Sequence, residues 1–103
     1  MTEKEKSLLR QQLHRLLDIV IDTNGFECRQ KGMTGKQPTV WFDYSGHINH
    51  LQLEIAPEGW TSGSGCYTKT LIDAFLEEPF SKYEIEMVER YCEDCPGGNE
   101  DDD

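Results

Sequence analysis

Aliphatic residues recur every three to four positions near the start of the chain, at Leu9, Leu13, Leu16 and Val20, with Leu8, Leu17 and Ile21 widening the stripe. That period predicts an amphipathic helix. Thr2 and Glu5 stand at capping-box spacing, where each side chain satisfies the other's free backbone N–H, and so mark its start. Asn24-Gly25 marks its end, since glycine takes the left-handed conformation after a helix cheaply. From Phe26 the pattern shortens. Residues 26–31 are predicted as an edge strand, and Lys31 to Lys36 as a loop. Thr39 to Tyr44 is dense in β-branched and aromatic residues, with Val40, Phe42 and Tyr44 on one face. Trp41 alternates with Phe42, so one of the two faces away from the core. After the Ser45-Gly46 turn signal, residues 47–55 are predicted as a third strand, with Leu51, Leu53 and Ile55 inward and His50, Gln52 and Glu54 outward.

A Pro- and Gly-rich loop from Ala56 to Gly65 surrounds Trp60. Residues 68–78 then carry Leu71, Ile72, Phe75 and Leu76 at helical spacing, and Pro79 ends the run. Ser81 and Glu84 form a second capping-box pair, opening a last helix that buries Ile85, Val88, Cys92 and Cys95. Pro96-Gly97-Gly98 breaks it. The predicted order is α-β-β-β-α-α: an α+β domain over residues 1–95, its N-terminal helix followed by a three-stranded antiparallel sheet and two C-terminal helices, all helices on one sheet face. Residues 96–103 read as an acidic, disordered tail.

A chain of 103 residues suits one domain. No apolar run approaches the roughly 20 residues of a membrane span, and Met1-Thr2-Glu3-Lys4 lacks a signal-peptide layout, which points to the cytoplasm. Charge changes the picture most. The net charge is −10, and it is unevenly placed. Residues 1–53 hold six acids and seven Lys or Arg, whereas residues 54–103 hold fourteen acids against Lys69, Lys82 and Arg90. Such a half suits a basic protein surface and disfavours direct nucleic-acid binding, which needs clustered cations. Glu86, Glu89 and Glu93 recur on the helix face opposite Ile85 and Val88, at an axial spacing close to that of successive phosphates. Glu77, Glu78 and the tail extend the field. These acids, with an outward Trp41 as anchor, are the candidate partner-binding residues, the competing account of Trp41 being that it covers a helix or the loop around Trp60. A solvated helix face is the plainer alternative.

Cys92-Glu93-Asp94-Cys95 puts two sulfurs on one helix face. Cys28 and Cys66 would complete a four-cysteine zinc site, with His47 or His50 as substitutes, and small buried thiols are the competing account. Redox chemistry is disfavoured, because the pair sits at a helix C-terminus among acids, where a thiolate is unstable. No catalytic or nucleotide-binding motif accompanies the histidines or the Thr61 to Gly65 loop, so no enzyme activity is expected.

The small size, amphipathic first helix, hairpin from Thr39 to His47 and acidic last helix ending in Cys-Glu-Asp-Cys together resemble the phage-encoded anti-CRISPR inhibitors of type II effector nucleases. The resemblance spans residues 1–95 and lies in layout. It implies a non-enzymatic inhibitor that binds an RNA-guided nuclease in the host cytoplasm and blocks guide or target-DNA loading, sometimes as a DNA mimic, and in a few cases with bound zinc. Two other classes stay open: a zinc-stabilised adaptor for protein–protein contacts, and a small hydrolase using His47 or His50.

Overall fold

The computed structural model describes residues 1–25, 38–59 and 67–95. The predicted strand at 26–31, the loop around Trp60 and the acidic tail lie outside them. Helix α1 runs Glu3–Asn24, and both halves of its capping box form between Thr2 and Glu5. Gly25 follows at φ 77°, a backbone region only glycine enters without strain. Strands β1 (Thr39–Ser45), β2 (His50–Ala56) and β3 (Lys69–Phe75) form one antiparallel sheet in the order β1-β2-β3. Helix α2 (Lys82–Glu93) begins at Ser81 with the second capping box. No described helix is long and apolar enough to cross a membrane.

The predicted helix at 68–78 is corrected to strand β3, which leaves one C-terminal helix among the described residues instead of two. Its apolar residues fit a helical period, but the buried ones are Ile72 and Leu76, with Ala74 half-buried between them. That is alternation. A short apolar run reads either way in isolation, and central strand β2 decides it by offering a second edge for pairing. A register shift opposite Leu53/Glu54 leaves Leu71 as an extra residue, which is why the strand's sequence period looks irregular. Among the described residues the sheet has three strands, the third being β3 on the far side of β2. Strand β2 also starts three residues later than expected. Residues 46–49 make the turn, and Asn49 closes it at φ 54°. Its side-chain N–H donates to the Leu76 carbonyl, its Oδ1 accepts from the Tyr44 hydroxyl, and its own carbonyl accepts the Leu76 N–H.

One face of the sheet carries Val40, Leu51, Leu53, Ile55 and Ile72 into the core, where they meet Leu9, Leu16, Ile19 and Val20 of α1 and Ile85, Val88 and Cys92 of α2. Two amides on α1 fasten this helix to the rest. Asn24 accepts the Val40 N–H (2.7 Å) and donates to the Val40 carbonyl (2.9 Å). Gln12 does the same for Phe80, at 2.9 and 2.7 Å. Each amide completes both backbone groups of one residue, as a neighbouring strand would. Asn24→Ala is therefore expected to lower unfolding free energy by about 1–3 kcal/mol, read from urea denaturation, with Asn24→Asp intermediate because it keeps the acceptor.

Candidate functional site

The bond pattern at Val40 fixes how the ladders alternate. Val40 directs both backbone groups away from β2, so Trp41, Asp43 and Ser45 are the β1 residues that pair with β2 through hydrogen bonds. Side chains alternate with the same period, which sets Trp41, Asp43 and Ser45 on the face opposite the helices. Their register partners there are Glu54, Gln52 and His50, and beyond those Thr70, Asp73 and Phe75. Three carboxylates, Asp43, Glu54 and Asp73, therefore share an open sheet face on which neither Lys nor Arg occupies an outward strand position. A hollow of ≈ 580 Å³ lies between Trp41, Asp43, Gln52, Glu54 and Thr68.

This face is ordered by its own bonds. His50 Nε2 lies 2.6 Å from Asp73 Oδ1, and its ring meets Phe75 edge-on, with centroids 4.9 Å apart. Gln52 Nε2 and Thr70 Oγ1 both donate to Glu54 Oε2, at 3.2 and 3.4 Å. Trp41 keeps 37% of its surface exposed. A face with fixed carboxylates beside an exposed indole suits an incoming Lys or Arg, which gains both charge pairing and a cation–π contact.

The predicted acidic stripe sits elsewhere. Helix α2 packs on the other side of the sheet, so Trp41 and the stripe are not one surface. Glu86 faces solvent but approaches Lys82 Nζ at 3.9 Å, and Glu89 pairs with Arg15 of α1. Two of the three stripe acids thus have a cation from their own chain. Glu93 is exposed and also has an interaction within the protein, and Glu77 and Glu78 are exposed in the bend between β3 and α2. Sequence reading placed His50, Gln52 and Glu54 outward, yet missed Asp43 and Asp73 as part of a site. Asp73 joins them only once residues 69–75 are a strand.

Cys92 and Cys95 are buried free thiols at the end of α2, and Cys28 and Cys66 lie outside the described residues. Among the described residues no three His, Cys, Asp or Glu side chains gather as metal ligands. Burial, then the neighbouring Cys92 and Asp94, push the Cys95 thiol up to about 11. Burial foremost also raises Cys92, against a hydrogen bond with Thr23 that lowers it. Both shifts favour the neutral thiol over the thiolate. A folded pKa above the unfolded one means the native state holds its proton longer, so stability is complete below the ordinary value of 9. It is expected to fall as pH rises from there to about 11, measured as alkaline Tm values against a Cys95→Ala variant.

His47 is exposed in the β1–β2 turn and His50 is committed to Asp73. Ser45 is the register partner of His50, but no hydrogen bond links their side chains. Among the described residues, neither histidine is hydrogen-bonded to a Ser, Thr or Cys side chain.

Comparison with protein-family models, curated proteins and solved structures returns no match to this chain.

Proposed function

We propose that the protein is a small acidic, non-enzymatic inhibitor that docks on a basic surface of a nucleic-acid-handling protein. The observation that carries this reading is the open sheet face, where Asp43, Glu54 and Asp73 stand beside the exposed Trp41 with no outward Lys or Arg on any strand. Carboxylates already paired within the chain, as on α2, add little to an interface, because exposed ion pairs exchange one modest contact for another. Carboxylates held by His50, Gln52 and Thr70, with no Lys or Arg among their partners, offer long-range attraction beside an aromatic anchor. An RNA-guided CRISPR nuclease of type II, with guide or target-DNA loading as the blocked step, is the partner that the layout's resemblance to anti-CRISPR proteins brings forward. Its nucleic-acid channel has the required charge.

The test adds the protein to a guide-loaded type II nuclease, and in parallel to the nuclease before guide, at two salt concentrations. Inhibition that weakens with salt is the expected result. A nuclease that neither binds the protein nor slows overturns the reading.

A zinc-stabilised adaptor is the second reading, favoured by the two buried, reduced cysteines three residues apart. Thiols with raised pKa values would have to surrender their protons to a cation, so metal uptake should release acid. Protein purified without chelator would then contain about one zinc and lose Tm on chelation. Metal-free protein of unchanged stability would remove this reading.

A further inference from the structure

Among the described residues strand β3 is an edge of the sheet, and its outer side has a groove beside it. The alternation that points Ile72 and Ala74 at β2 turns the backbone N–H and carbonyl of Asp73, and the N–H of Phe75, away from the sheet. No described residue bonds to them. The Phe75 carbonyl instead takes the Glu77 N–H at 3.0 Å. Next to this edge, β3 and α2 enclose a groove of ≈ 370 Å³ whose apolar floor includes Ala74, Val88, Met87 and Tyr91. Met87 is 56% exposed, a large apolar side chain with no cover on its outer side. The opposite edge of the sheet is treated differently, since Asn24 bonds both free groups of Val40 on β1.

We infer that β3 accepts an extended, basic-apolar segment of a partner protein as a fourth strand, its alternate apolar side chains settling over Met87 and Tyr91. Main-chain pairing supplies affinity in such additions, and the flanking groove selects side chains. The occupant's charge follows from the rims. Asp73 and Glu84 border the groove toward the Phe75 end, with Glu77 and Glu78 just beyond, whereas Lys69 stands at the far end over the Tyr91 ring at 5.7 Å. Lysine or arginine on the incoming strand complements the acidic end. A second copy of this chain does not: antiparallel β3–β3 pairing sets like acids together between two chains of net charge −10. The inference does not depend on the open-face reading.

The probe is a short synthetic peptide alternating leucine and lysine, compared by fluorescence anisotropy with the same peptide N-methylated at every residue. Methylation throughout keeps charge and side chains but removes the amide donors of both edges, so strand pairing is lost. Binding of the unmethylated peptide about tenfold tighter or more is expected, as a few net main-chain hydrogen bonds supply. Asp73→Pro, which removes an outward N–H that no sheet bond uses, should erase that difference with far-UV dichroism unchanged, while Asp73→Asn should keep it. Equal affinity for the two peptides on the unmodified protein overturns the proposal, whatever the proline variant does. A difference that survives in folded Asp73→Pro overturns it too. So does a concentration-dependent dimer in sedimentation that the same substitution dissociates, because it would make a second copy the occupant.

Discussion

Leu53→Ala is expected to cost about 2–5 kcal/mol of unfolding free energy, out of a total that domains of this size hold at about 5–15 kcal/mol. Leu53 has no exposed surface and sits at the middle of the central strand, with Phe42 and Ile72 as its register partners on either side. Neither ladder can close over the space left behind, because β2 is bonded on both edges. The cavity therefore persists, and its cost adds to the lost burial of the methyl groups. Gln52→Ala, one residue along but on the open face, should stay within about 1 kcal/mol. Urea denaturation of the two variants gives the comparison. Similar losses for both would mean that the helices do not cover the face of the sheet assigned to the core.

Trp41→Ala combined with Asp43→Lys should produce the largest functional loss. A central aromatic anchor is worth about 2–4 kcal/mol when truncated, roughly thirty-fold in affinity or more. The charge reversal acts on a different quantity, slowing association and flattening the salt dependence. Glu86→Lys is the contrasting variant. Glu86 is already shared with Lys82, so its reversal should shift affinity by less than about 1 kcal/mol. Titrating the proposed partner, a type II nuclease, with each variant at two salt concentrations separates the contributions. If Glu86→Lys proves the more damaging, α2 is the docking face and the sheet assignment fails.

What could be read from the chain was whatever is decided by near neighbours. Thr2 with Glu5, Ser81 with Glu84 and Asn24 before Gly25 all act within one helical turn, the first two starting their helices and the third ending one, as expected. Alternation along Leu51, Leu53 and Ile55 settled which side of β2 is buried. Residues 69–75 went wrong because Leu71, Ile72, Phe75 and Leu76 satisfy two periods at once, and only a partner strand at 50–56 chooses between them. The acidic stripe on α2 was visible in outline, but Arg15, which pairs with Glu89, stands 74 residues earlier in the chain. The amide of Gln12 reaches Phe80 over 68 residues. Nothing in local spacing signals such bonds. The open face was half legible for the same reason, since Glu54 and His50 follow from one strand while Asp43 and Asp73 join them only through the order of three.

Carboxyl footprinting of the complex tests the assignment of the docking face most directly. A water-soluble carbodiimide with an amine label modifies exposed carboxylates, and mass spectrometry reads each site with and without the bound nuclease. Asp43 and Asp73 should lose labelling on binding, while Glu86 and Glu93 continue to react. Unchanged labelling at Asp43 and Asp73, with protection confined to α1 or α2, would contradict a partner seated on the sheet.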